Sequence, residues 1–101
     1  MDIIKTENEG KVKVTLVGRL DTTTAPELET ELKALFDEGK KELDFDFDQL
    51  EYISSAGLRV LLFAQKSITP DGAMVIRNVK PEIMEVFEIT GFSDILTIEQ
   101  S

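Results

Sequence analysis

Hydrophobic residues recur along the chain first at every second position and then at helical spacing, and the changes of period mark the elements. Val12, Val14 and Leu16 alternate with Lys11, Lys13 and Thr15, the pattern of a strand with one buried and one wet face. Together with residues 3–6, and around the turn Glu7-Asn8-Glu9-Gly10, residues 11–17 are expected to form a β-hairpin. Leu28, Leu32, Leu35 and Phe36 then fall on one helical face. Thr24 followed by Glu27 is a capping-box pattern, Pro26 suits a first turn and Gly39 a stop, so a helix is expected over residues 25–38.

Leu43, Phe45 and Phe47 alternate with Asp44, Asp46 and Asp48, which predicts a third strand with its acids outward. Residues 56–68 carry Leu58, Leu61, Leu62 and Gln65 at helical spacing and are apolar nearly all round, the mark of a deeply packed helix. Pro70-Asp71-Gly72 makes a turn, residues 73–77 a strand, and Pro81 to Gly91 a third helix with Ile83, Met84, Val86 and Phe87 inward. Residues 95–98 are expected to form a last short strand. Strands alternating with helices indicate an α/β domain in which right-handed crossovers make the later strands parallel, while the opening hairpin makes the sheet mixed.

At 101 residues the chain suits one domain with one modest core. No run approaches the ~18 apolar residues of a membrane span. The N-terminus lacks a basic region followed by an apolar one, which leaves a cytoplasmic location as the expectation. Cysteine and histidine are both absent, so thiolate metal sites, disulfides and the commonest general base go with them. A net charge of −9 repels phosphate backbones and anionic membranes, so neither nucleic acid nor direct membrane insertion is expected.

Three candidate chemistries fail on their patterns. Asp44, Asp46 and Asp48 take the first, third and fifth places of a calcium loop, but its sixth place is Gln49 and its twelfth Ser55, and the alternation is that of a strand. Ser54 and Ser55 have no activating base and no S-x-x-K lysine, so nucleophilic catalysis is not expected. No phosphate-cradling glycine motif occurs. The chain is therefore read as a non-enzyme without metal or cofactor. The serine pair stands where a helix begins; either serine can cap it, and a helix start also accommodates a phosphate. Asp21 and Thr22 to Thr24 would neighbour Ser55 if the loops after the second and third strands share one end of the sheet.

Three segments, GRLDTTTAPEL (residues 18–28), LDFDFDQLEYISSAGLRVLL (43–62) and VKPEIMEVFEITGFSDIL (79–96), in that order and spacing resemble the STAS domain, and specifically its stand-alone bacterial form, the anti-sigma factor antagonists. The resemblance covers nearly the whole chain. It implies a single STAS-like domain over residues 1–101, with a mixed, mostly parallel sheet of four to five strands. Three helices are implied, or four where the further C-terminal helix common in the family is present, for which residues 98–101 leave little chain.

The resemblance also implies a switch. The unmodified antagonist binds an anti-sigma factor that is also a serine protein kinase and so releases a sigma factor for transcription. The kinase phosphorylates a serine at the start of the second helix, the phosphoprotein lets go, and a serine phosphatase resets it; ATP belongs to the kinase. Alignment on Gly57-Leu58 puts the acceptor at Ser55, with Ser54 as second choice. Ser54 stands where many members have Asp, and Ala56 where several have Ser or Thr. The implied partner surface comprises Asp21, Thr22, Thr23, Ser54, Ala56, Gly57 and Arg59. A different implication is a constitutive STAS subunit of a larger assembly, such as a lipid-transport ATP-binding cassette system or a stressosome-like complex.

Overall fold

Strand β2 (Lys11–Leu20) pairs antiparallel with β1 (Asp2–Asn8) and parallel with β3 (Glu42–Asp46), and β3 in turn pairs parallel with β5 (Ala73–Arg77). Beyond β5 lies a two-residue edge strand, β6 (Ile98–Glu99), and a short strand β4 (Leu50–Ile53) pairs with the far end of β2. Helices α1 (Ala25–Asp37), α2 (Ser55–Ser67) and α3 (Pro81–Thr90) supply the crossovers. The computed structural model describes residues 1–99; Gln100 and Ser101, which bear on a fourth helix, lie outside the described residues.

The strand register turns the period-two pattern into layers. Val12, Leu43 and Met74 are aligned across three strands, as are Val14, Phe45 and Ile76, and all six are buried. Leu28 and Leu32 of α1, Leu58 and Leu61 of α2, and Ile83 and Phe87 of α3 join them in one cluster. All three helices thus share the core on one face of the sheet. Phe36 of α1 meets Phe63 of α2 edge to face at 6.0 Å between ring centroids, and Phe47 meets Phe87 at 6.4 Å, separations at which aromatic pairs attract.

The opposite face carries the acids. Arg77 Nε donates to Asp44 Oδ1 at 3.0 Å and its Nη1 to Glu99 Oε1 at 2.8 Å. Lys13 Nζ lies 3.7 Å from Asp46 Oδ2, and the Asn78 amide donates to Asp46 Oδ1 at 3.1 Å. Burial pushes the Asp46 pKa up, but the Asp48 N–H, Asn78 and Lys13 outweigh it and the net shift is downward. Asp44 and Asp46 are committed to cross-strand partners and Asp48 lies beyond the strand in a turn, an arrangement unlike a calcium loop.

Several boundaries differ from those the pattern predicts. Among the described residues the sheet has six strands rather than four to five, because β2 does not stop at residue 17. A bulge between Gly18 and Arg19 shifts its register, and the last residues take β4 as a new partner. The final strand begins at Ile98, since Phe92–Asp94 form a 3-10 turn whose carbonyl at Phe92 accepts from the N–H groups of Ile95 and Leu96. Helix α2 starts at Ser55 and ends at Ser67, and α1 ends at Asp37. The Thr24 capping box does not form: Thr24 has helical backbone angles (φ −93°, ψ −22°), whereas a capping side chain needs the extended region to reach the next N–H groups.

Helix α2 docks end-on against the strand tips through Gly57. A Cβ there would stand 2.7 Å from Leu20 Cγ and 3.0 Å from Ile53 Cγ1, and Leu20 is fully buried. Gly57→Ala is therefore expected to lower stability by about 1–3 kcal/mol through overpacking, measured as the urea midpoint. Helix propensity by itself predicts a gain of up to ~1 kcal/mol, so a stabilised variant would refute the close packing.

At the opposite end of the sheet the turn before β5 is tied to the start of β3. Ala73 N–H donates to the Lys41 carbonyl at 2.8 Å, and Lys41 Nζ pairs with Asp71, which also accepts from Thr69 Oγ1 at 2.6 Å. The hydrogen bond from Lys41, then that from Thr69, lowers the Asp71 pKa to about 2. A carboxyl depressed on folding stabilises the fold above its unfolded pKa of ~3.9. That contribution is lost as the pH falls through about 2. Stability measured by urea unfolding is expected to drop between pH 5 and pH 2.5, and Asp71→Asn to flatten that drop. An unchanged slope in the variant would show that the pair does not act.

Candidate functional site

The second half of β2 builds the site. Leu20 pairs with Ile53 across the β2–β4 ladder, and the Ser54 N–H continues it by donating to the Leu20 carbonyl at 2.9 Å. The chain leaving β2 and the chain leaving β4 therefore emerge side by side, at the carboxyl ends of parallel strands where α/β sheets hold their ligands.

On the β2 side, Asp21 organises the turn that leads into α1. Its Oδ1 accepts from the N–H groups of Thr23 at 3.0 Å and Thr24 at 3.1 Å, and its carbonyl accepts from the Ala25 N–H at 2.8 Å. These are the bonds of an N-cap, so Asp21 caps the Thr22–Thr24 turn, the role that the pattern assigned to Thr24. The Thr24 hydroxyl is spent inside the loop, donating to the Arg19 carbonyl at 2.7 Å and accepting from the Asp21 N–H at 2.8 Å. The Thr24 N–H holds the Asp21 pKa down. Partial burial opposes it; the Thr23 N–H, the Thr24 hydroxyl and Arg19 reinforce it. The carboxylate is ionised and half-exposed at neutral pH.

On the β4 side, the two serines divide. Ser54 has extended backbone (φ −101°, ψ 174°) and its Oγ accepts from the Gly57 N–H at 3.3 Å, so it is the N-cap of α2 and is half-buried. Ser55 is the first residue of the helix and is exposed. No acidic side chain occupies the first turn of α2.

Between the starts of α1 and α2 lies an open groove of about 350 Å³ lined by Thr22, Ala25, Pro26, Glu29, Ala56, Arg59 and Val60. Of the residues predicted for the site, the structure thus brings Thr22, Ala56 and Arg59 onto one groove; Asp21, Ser54 and Ser55 lie outside its lining, on the chain segments that leave the paired tips of β2 and β4. Thr23 is exposed on the turn outside the groove lining. Gly57 is buried beneath Leu20 and Ile53 and presents no side chain.

One feature of this end of the molecule was not expected from the sequence. The Arg19 guanidinium lies 4.2 Å from the centre of the Tyr52 ring, a cation–π separation, and its Nε is 3.9 Å from Asp21 Oδ2. Arg19 and Tyr52 are register partners on β2 and β4, and a pairing made after a bulge has no signature in either strand alone. Chemically the site offers an exposed hydroxyl, an ionised carboxylate and two arginines on a shallow surface, which suits docking a partner. Among the described residues no group of three or more acidic side chains is arranged to hold a metal, and no helix is long and apolar enough to cross a membrane.

Comparison with known proteins agrees with this architecture. "Putative anti-sigma factor antagonist BtrV" of Bordetella bronchiseptica is 39% identical over 94 residues, covering 92% of this chain and 81% of its own length. The anti-sigma-B factor antagonist of Bacillus subtilis is 29% identical over 93 residues, covering 91% of this chain and 84% of its own length. The crystal structure of an anti-sigma factor antagonist from Mycobacterium paratuberculosis superposes with a TM-score of 0.88 at 21% identity, over 96% of this chain and 83% of that one. The family model for the STAS domain matches residues 2–101. With a match of that extent, the chain belongs to the STAS domain family.

Proposed function

We propose that this protein is an anti-sigma factor antagonist whose binding is switched by phosphate on Ser55. Unmodified, it docks through the groove and the Asp21 turn onto an anti-sigma factor that is also a serine kinase, and a sigma factor is released. The kinase passes the γ-phosphoryl group of its ATP to Ser55 Oγ, with ADP leaving, and a serine phosphatase restores the hydroxyl. The cycle runs in the cytoplasm.

The observation that carries this reading is the split between the serines. Ser54 Oγ is engaged as a cap, while Ser55 stands exposed one residue on, between the serine whose N–H is bonded to the Leu20 carbonyl and Ala56 of the groove lining. The antagonist names of the two relatives support the class of partner. The electrostatics support the direction of the switch. A phosphate adds about −1.5 to −2 charges to a chain already at −9, at the same end of the sheet as the carboxylate held ionised at Asp21. Brought into an interface, it costs desolvation and repulsion.

With the cognate kinase and ATP, peptide mass spectrometry is expected to find a single phosphate, on Ser55. Ser55→Asp is expected to weaken kinase binding by roughly two to three powers of ten, equivalent to a few kcal/mol, while Ser55→Ala binds as the wild type and is not released. Modification of Ser54 in its place, or equal affinity of the wild type and Ser55→Asp, would defeat the assignment.

Asp21 can be tested separately as a contact. Asn caps as well as Asp, so Asp21→Asn should keep stability within about 0.5 kcal/mol, whereas Asp21→Ala should lose ~1 kcal/mol. If the charge is read by the partner, Asp21→Asn weakens binding about tenfold, or ~1.4 kcal/mol, in a calorimetric titration. Full affinity in the Asn variant would leave Asp21 as a turn former only.

A further inference from the structure

The three arginines of the chain have different surroundings. Arg77 is held between Asp44 and Glu99, and Arg19 lies over Tyr52 beside Asp21. Arg59 is exposed on α2 at the edge of the groove, and it makes no ion pair or ring contact with any of the described residues. In a chain with twenty acidic residues against eleven basic ones, an unpaired guanidinium at this place calls for a partner.

Its position relative to Ser55 supplies one. Residues four apart on a helix share a face, with Cβ atoms about 5–6 Å apart, and Ser55 is the first residue of α2, one turn before Arg59. The neighbouring acids are otherwise engaged. Glu29, across the groove on α1, pairs with Lys33 at 3.2 Å, and Asp21 is turned into its own capping bonds. The first turn of α2 contributes no carboxylate.

We infer that Arg59 is the internal counter-ion of phosphorylated Ser55, its guanidinium donating along α2 to the phosphate oxygens. The inference rests on Ser55 being the modified residue. A guanidinium presents two parallel N–H groups that match two phosphate oxygens, a geometry lysine does not offer. The order is also the favoured one on a helix, with the anion toward the N-terminus and the cation one turn later. Engaged in this way, Arg59 is withdrawn from the surface that the unmodified protein presents to its partner.

The test uses the full chain with phosphoserine introduced at position 55 during synthesis, so that no kinase is needed, and follows the phosphate through its second ionisation by 31P NMR. A nearby cation favours the dianion and lowers that pKa. Arg59→Gln is therefore expected to raise the titration midpoint by roughly 0.2–0.4 pH units, Arg59→Lys to raise it less, and Arg19→Gln to leave it unchanged. High salt should shrink the difference between wild type and Arg59→Gln. Superimposed curves for those two proteins, or a shift produced by Arg19→Gln instead, would overturn the inference. If the cognate kinase modifies another residue, the reading of Ser55 as the switch fails while these curves still decide what Arg59 does.

Discussion

Strand β2 is longer than either parallel neighbour can cover, and the rest of the site depends on how the chain resolves that mismatch. Up to Thr15 it is matched by β3; from Gly18 on, through the bulge before Arg19, it is matched by β4. The change of partner keeps its backbone groups hydrogen-bonded, including Gly18 N–H to the Gln49 carbonyl at 3.0 Å, as buried backbone requires. It also carries Leu20 to the tip of the sheet beside Ile53. From that single pairing follow the adjacency of the Asp21 turn and Ser54, the seat on which Gly57 rests, and the closeness of α2 to the start of α1.

The site is tied down along its capping turns and open on the exposed side chains beside them. Ser54, Asp21 and Thr24 spend their polar atoms on backbone groups, each such bond contributing about 0.5–1.5 kcal/mol. Ser55, Thr22, Thr23 and Arg59 remain exposed. A modification at Ser55 therefore meets a fixed framework. Adding a phosphate at the first residue of a helix that is already capped by its neighbour does not disturb the cap, so the fold has no reason to change.

Much of the fold was legible because burial on one face forces a period on the sequence. Leu43, Phe45 and Phe47 announced β3, and the layers they form with Val12, Val14, Met74 and Ile76 required only that the strands lie parallel. Strand β4 was not legible. Its residues Leu50, Glu51, Tyr52 and Ile53 run buried, exposed, exposed, buried, which is neither a strand's alternation nor long enough for a helix. Thr24 misled for a related reason: the capping box describes a hydroxyl and its nearest helix, and Arg19, five residues back, took the hydroxyl. The serine pair stands at a helix start as its spacing predicts, but which serine caps depends on where α2 begins, and the backbone is still extended at Ser54 and turns helical at Ser55.

The same geometry bears on what can stand in the place of Ser54. A cap at that position accepts from the Gly57 N–H, and Asp, which the resemblance associates with this place, would do so equally well. What differs is charge. An Asp there would set a carboxylate next to the residue proposed to gain a phosphate, and the two anions would compete for the same helix terminus and the same nearby cation. With Ser54 the first turn of α2 stays free of acid, so an anion arriving at Ser55 has the terminus to itself. The neutral cap and the arginine one turn along thus act in one direction, making the start of α2 more hospitable to a dianion than the chain's overall acidity suggests.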